Sequence, residues 1–371
     1  MRALSEPIAR IDDDQHSSHV TAARPTPCFF HPQQLNFKPR YEWAFGEKIE
    51  HPETTARAEG ILTALETDGA CFQVRRPEVI SDETIHAVHD PRLVRMLQTA
   101  QSLRKTDTFY PAVFMRGTDI TPDPGRIAHA GSFCFDSGTP LSRDTWTAAR
   151  WSASCAVTAA TVVASGESRL AYALSRPPGH HATQGLFGGY CYLANSSLAA
   201  QSLRMGGAKR VAVLDIDVHH GNGTQQIFWD DPSVLTVSLH GDPNNFFPFF
   251  TGFAEEVGGG PARGANLNLP LEEGTDGQAY ARALETALAR IAEFDPAFLI
   301  LAAGVDTYER DPMGNMTLTT ADLGRIGERV GALGLPTIAV QEGGYYTPHI
   351  GRNVQALLQG LREGARATAA D

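Results

Sequence analysis

The stretch Val211–Gly223 reads VAVLDIDVHHGNG, a short apolar run passing abruptly into polar residues. VAVL is apolar and β-branched, as expected of a strand buried on both faces of a parallel sheet. Asp215, Asp217 and His219 follow at spacing two, so an extended backbone points them to one side. Two carboxylates and an imidazole at the end of a buried strand repel or stay desolvated unless a cation or proton sits among them. Gly221 and Gly223 end the strand and permit a sharp turn. Carboxyl ends of strands are where open α/β sheets carry their chemistry.

Other polar groups follow short apolar strands in the same way. Asp306 follows FLILA at Phe298–Ala302. Alone it reads equally well as a helix N-cap. With Asp217 and His219 it makes a three-ligand site of oxygen and nitrogen donors. Such a set suits Zn2+ with one position open, and Fe2+ or Co2+ would accept the same donors. His180 and His181 follow Pro-Pro-Gly, which holds the pair rigidly. An imidazole accepts and returns protons near neutral pH. Asp215 and Asn222 remain as their partners, one a carboxylate and one an amide, which would give the two rings different basicity. Tyr345 follows Gly343–Gly344, read as a flexible hinge that swings a phenol into a pocket. A protonated phenol donates to a developing oxyanion. Tyr346 beside it reads as a packing residue.

These residues need a scaffold that brings strand ends together. Strand-like runs at Pro27–Phe30, Ala171–Leu174, Val211–Leu214, Val234–Leu239, Phe298–Ala302 and Thr337–Gln341 alternate with helical patterns. The helical patterns fall at His51–Glu66, Asp90–Leu103, Trp146–Ser165, Asn195–Met205, Gly277–Phe294 and Ala321–Leu333. This alternation predicts a single α/β domain with a mainly parallel sheet flanked by helices on both faces. Residues 1–25 are polar and aperiodic and read as a flexible arm ahead of a domain spanning 26–371. Residues 104–144 carry scattered Pro, Gly and Phe and read as an irregular insertion that is functional or an interface.

The chain has 371 residues and a net charge of −11, with no run of Lys or Arg, which argues against nucleic-acid binding. No apolar stretch approaches the ~20 residues that span a bilayer, and the start lacks a signal-peptide core. Five widely spaced cysteines without a CxxC pair suggest a reduced, cytoplasmic protein.

The segments RPPGHHA, GGYCYLANS, VAVLDIDVHHGNGTQ, VSLHGDP, AAGVDTYERDPM and VQEGGY, in this order, resemble the zinc-dependent histone deacetylase family. The resemblance covers roughly residues 27–362 and leans toward the bacterial acetylpolyamine branch through SLHGDPNNFFPFFTGFAEEVGGG, GVDTYERDP and the 104–144 insertion. It implies the arginase–deacetylase fold and hydrolysis of the amide of a small acetylated amine. It further implies Zn2+ on Asp217, His219 and Asp306, and K+ at Asp215, Ser238 and Leu239. By the same resemblance His181 is the general base and then acid, with Asn222 behind it. His180 is its electrostatic partner beside Asp215, and Tyr345 stabilises the oxyanion. Tyr190 and Phe247 would sandwich the substrate chain, Gly189 would bind it as well, and Asp136 and Met313 would line its entrance. A homodimer through the 104–144 insertion is implied as well.

The acidic positions by which the polyamine branch recognises a distant ammonium fall near Ile127 and Gly138, neither of which is acidic. Asp123 and Asp136 are the nearby acids that could replace them, and a broad acetyl-lysine deacetylase stays open. A non-catalytic acyl-ligand binding protein and an arginase-like ureohydrolase are the readings from other classes. The first has every catalytic position filled, and the second needs a two-manganese cluster with more carboxylates than the chain offers.

Overall fold

In the computed structural model, residues 24–44, 46–115 and 121–370 are described. All but the last two residues of the expected N-terminal arm, and 116–120 of the insertion, lie outside them. Eight strands form one parallel sheet: β1 (Thr26–Phe29), β4 (Phe72–Arg75), β5 (Leu170–Ala173), β6 (Val211–Asp215), β7 (Val234–Gly241), β8 (Asn266–Leu271), β9 (Phe298–Ala303) and β10 (Thr337–Gln341). Their order across the sheet is β4-β1-β5-β10-β9-β6-β7-β8, every pairing parallel. β2 (Tyr41–Ala44) and β3 (Glu47–Glu50) form a separate antiparallel hairpin.

The two-residue period sorts the strand side chains into two cores. Val211, Val213, Ile300, Ile338 and Val340 meet α4 (Thr145–Ala164) and α5 (Asn195–Met205) on one face. Ala212, Leu214, Leu299, Leu301 and Ala339 meet α1 (Thr55–Thr67), α7 (Gly277–Phe294), α8 (Thr320–Gly331) and α9 (Thr347–Ala370) on the other. Strands covered on both sides have no polar face, which explains why their sequences are continuous apolar runs. The central order β5-β10-β9-β6 sets the loops after these four strands side by side on one edge.

The structure departs from the expected elements in physically clear ways. The helix read at His51–Glu66 begins only at Thr55, because Pro52 holds the preceding residue extended and the His51 N–H bonds to Arg40 instead. β8 carries Pro270 and did not read as a strand, but it lies at the sheet edge, where a missing donor is tolerated. α9 is broken up in sequence by Gly351, Gly360 and Gly364, residues that weaken isolated helices. Here they allow close helix packing: a Cβ on Gly360 would lie 2.1 Å from the Gly324 carbonyl of α8. The 104–144 segment is irregular as expected, yet Phe133, Cys134 and Leu141 are buried and Phe109 pairs with Leu141.

G360A should therefore push α8 and α9 apart and cost about 1–3 kcal/mol. Denaturant unfolding measures this, and unchanged stability would show that the close approach is dispensable.

Candidate active site

β6 ends at Asp215, and the chain bends over Asp217–His219 just beyond it. Asp306 comes from the loop after β9, the neighbouring strand. All three are buried. His219 Nδ1 lies 3.0 Å from Asp217 Oδ1 and 3.3 Å from Asp306 Oδ2. Tetrahedral ligands bonded at about 2.1 Å are separated by roughly 3.4 Å. The remaining oxygens are fixed by backbone: Gly343 N–H donates to Asp217 Oδ2 at 2.7 Å and Val218 N–H to Asp306 Oδ1 at 2.8 Å. Asp306 Oδ2 is buried and, among the described residues, accepts no hydrogen bond. Burial and the adjacent Asp217 push the Asp306 carboxyl up to about 7. An orphaned buried oxygen beside a second carboxylate fits a cation, and the donor set suits a divalent metal.

His180 and His181 sit in the loop after β5. That loop is tied down by Glu342, which sequence reasoning passed over: its buried carboxylate accepts Gly179 N–H at 2.6 Å, His180 N–H at 3.0 Å and the Ser196 hydroxyl at 2.8 Å. His180 Nδ1 is 2.9 Å from Asp215 Oδ2. His181 Nδ1 is 2.7 Å from Asn222 Oδ1, at the start of α6 (Asn222–Phe228). An amide oxygen only accepts, so the proton belongs on Nδ1 and the Nε2 lone pair is free. Burial opposes charge on His180, but Asp217 and Asp215 outweigh it and hold that ring well above its ordinary range. Burial and the neighbouring His180 hold His181 well below it. The two adjacent rings are thus pushed in opposite directions, His180 toward its protonated form and His181 toward its neutral form.

The Gly343–Gly344 pair, read in sequence as a hinge, is packed instead. A Cβ on Gly343 would meet Asp306 Oδ2 at 2.0 Å, and one on Gly344 would meet Val305 at 2.5 Å. These glycines allow a close approach rather than a swing. Tyr345 lines the pocket, with its ring edge-on to Tyr190 at 5.9 Å. Tyr346 packs against Tyr308 and His349.

The pocket has a volume of about 490 Å³ and brings together His181, Gly189, Tyr190, His219, Phe247, Asp136, Met313 and Tyr345. Gly189 has φ +56° and passes so close over His181 that a Cβ would lie 2.3 Å from its ring. Asp136 does not offer a free carboxylate. Its oxygens accept Gly138 N–H, Thr139 N–H, the Thr139 hydroxyl and Gly189 N–H, which exhausts its acceptor sites. Asp123 pairs with Arg126 outside the pocket lining, and Ile127 packs on the core.

The pocket acid is instead Glu42 of β2, only 3% exposed and hydrogen-bonded by the Tyr190 hydroxyl. Burial pushes its carboxyl up to about 7. Gly138 leaves room for it, since a Cβ there would lie 2.9 Å from Glu42 Oε2. No spacing ties Glu42 to the strand ends. The only hint was an acid between Tyr41 and Trp43 in a segment otherwise unassigned.

A second void of about 10 Å³, near the size of one water, is bordered by Asp215, Ser238, Asn266 and Asn268. Leu239 is buried beside Ser238 in β7. Among the described residues one further cluster, His180, Cys191 and Glu342, has metal-ligand types within reach of each other. Glu342 is already engaged there by three donors.

Because Gly343 backs both carboxylates, G343A should weaken divalent-metal binding by roughly 10–100-fold. Competition with a chromogenic chelator reads this, and wild-type affinity would show that the carboxylates do not depend on the close approach.

Residues 51–361 match the family model for the histone deacetylase domain. An acetylpolyamine amidohydrolase from Burkholderia pseudomallei is 40% identical over 90% of this chain and 98% of its own length. An acetylpolyamine amidohydrolase from Mycoplana ramosa is 39% identical over 85% of this chain and 94% of its own. A crystal structure of acetylpolyamine aminohydrolase from Burkholderia pseudomallei superposes with a TM-score of 0.86 at 38% identity, covering 91% of this chain and 98% of that one. With this match spanning both halves of the site, the chain belongs to the histone deacetylase family.

Proposed function

We propose that this chain is an amidohydrolase that removes acetyl groups from acetylated polyamines and similar small acyl-amines, yielding acetate and free amine. The observation that carries this reading is Glu42, a carboxylate in the wall of the same cavity as His181, His219 and Tyr345. It is placed to attract a cationic amine distant from the scissile amide. The similarity to acetylpolyamine amidohydrolases supports the same substrate class.

Asp217, His219 and Asp306 are the residues that would hold a divalent ion, Zn2+ first. When bound, such an ion supplies Lewis acidity at the acyl oxygen and acidifies a nearby water toward about 7. His181 Nε2 takes the proton of the attacking water and returns it to the leaving nitrogen, a contribution of about 10²–10⁴-fold. Asn222 keeps the proton on Nδ1 throughout. His180, hydrogen-bonded to Asp215 and thereby favoured in its protonated form, offsets the negative charge that develops. Tyr345 donates its hydroxyl proton to the oxygen that becomes anionic. Tyr190 and Phe247 flank the aliphatic chain, Met313 lines the entrance, Gly189 covers His181, and Asp136 holds the Gly138–Gly189 wall.

Finer assignments follow the same logic. The void at Asp215 and Ser238 is assigned to K+, with the Leu239 backbone beside it. The 104–144 segment, with Val113 65% exposed, is assigned to contact with a second copy of the chain. Cys28, Cys71, Cys155 and Cys191 form no disulfide among the described residues, which supports a reducing cytoplasmic location. Among the described residues no helix is long and apolar enough to cross a membrane.

The decisive assay compares kcat/KM of the metal-loaded protein on N-acetylputrescine, N-acetylcadaverine, acetylspermidine and an acetyl-lysine peptide. A preference for the acetylated amines of 10²-fold or more, about 3 kcal/mol, is expected. Equal turnover of the peptide would instead make it a general lysine deacylase. E42Q should raise KM for the cationic substrates and abolish the preference. Glu42 is neutral below about pH 7 and charged above it, so the wild-type KM for these amines should rise as pH falls through 7. E42Q should lack that rise. Y345F should fold normally and lose on the order of 10²–10³ in kcat; near-wild-type turnover would refute the oxyanion role.

A further inference from the structure

Tyr345 and Tyr346 lie at the end of the loop after β10, and neither backbone N–H finds a backbone acceptor among the described residues. Both point at one oxygen of Asp311, in the loop after β9: Tyr345 N–H reaches Oδ2 at 2.6 Å and Tyr346 N–H at 3.0 Å. The other oxygen, Oδ1, accepts Met313 N–H at 3.0 Å. Asp311 is 9% exposed. Successive N–H groups converging on one carboxylate form a concave anion site, here filled by a side chain of the protein itself. The loop is held from the opposite side by Arg57, which donates to the carbonyls of Gly344 and Glu342. The Arg57 guanidinium also lies 4.6 Å over the Tyr345 ring.

A tyrosine has few torsions between backbone and hydroxyl. With its N–H fixed by Asp311, its face covered by Arg57 and its edge against Tyr190, the hydroxyl has little freedom left. We infer that Asp311 is a positioning residue that sets where the Tyr345 hydroxyl meets the acyl oxygen, and that it couples this point to Met313 at the pocket entrance. The inference rests on the assignment of Tyr345 as the oxyanion donor. An asparagine could not replace Asp311, because it has one carbonyl oxygen. Its NH2 would face either Met313 N–H or the tyrosine pair, donor against donor.

The test is a double-mutant cycle in the metal-loaded enzyme with an acetylated diamine. D311N should lower kcat by about 10²-fold through misplacement of the donor, with KM little changed. In the Y345F background, where no hydroxyl remains to be placed, D311N should change kcat by no more than about twofold. Full additivity of the two losses, or unchanged kcat in D311N, would overturn the inference. Near-wild-type kcat in Y345F would instead overturn the Tyr345 assignment beneath it, so the two failures are distinct. Melting temperature and bound metal are recorded for every variant. If D311N does not fold, D311E, which keeps the charge but moves the oxygens by one methylene, enters the same cycle with the same expectations.

Discussion

Two carboxylates, Asp217 and Asp306, are buried on adjacent strand ends with an imidazole between them. Like charges in a dry interior are costly unless neutralised and hydrogen-bonded. Much of the surrounding architecture answers that cost. One oxygen of each carboxylate takes a backbone N–H from a neighbouring loop, and the others converge with His219 Nδ1 where a cation would sit. Gly343 and Gly304 have no side chain because a Cβ at either position would lie within 2.5 Å of these ligands. The parallel sheet supplies the rest, since its order sets the relevant loops next to one another.

Around this centre, charge is distributed by partner choice. His180 and His181 are adjacent, with ring centroids 4.0 Å apart, yet their protonation diverges. A carboxylate backs one and an amide the other, so protonation is favoured on one ring and opposed on its neighbour. Glu42 shows the same principle at the pocket wall. Burial raises its pKa above the ordinary 4.5. Its ionisation therefore opposes folding: the contribution to stability is full below about pH 4.5 and is lost as pH rises through about 7. The protein thus gives up some stability to keep a carboxylate where a cationic amine would need it charged.

The Asp217–His219 pair of the metal-type cluster and the histidine pair were legible because each is compact in sequence, whereas Asp306 reads as a ligand only beside them. Asp-x-Asp-x-His needs only the two-residue period of a strand, and Pro-Pro-Gly-His-His only a rigid turn. The sheet was legible from alternating apolar runs. The supporting groups were not. Glu342 and Asp311 act through loops that meet only after folding, and Glu42 reaches the pocket from a hairpin outside the main sheet. The hydrogen-bonding of Asp136 was not legible either: four local donors hold its carboxylate, from residues three positions or fewer away and from Gly189. Gly343–Gly344 suggested a hinge in sequence, whereas close contacts are what require these glycines.

The most direct test of the account is an anomalous difference map from crystals of the zinc-loaded protein, collected at the zinc edge. One strong peak is predicted about 2.0–2.2 Å from Asp217, His219 Nδ1 and Asp306 Oδ2. A peak at His180, Cys191 and Glu342 instead, or none in protein that is fully active, would contradict it.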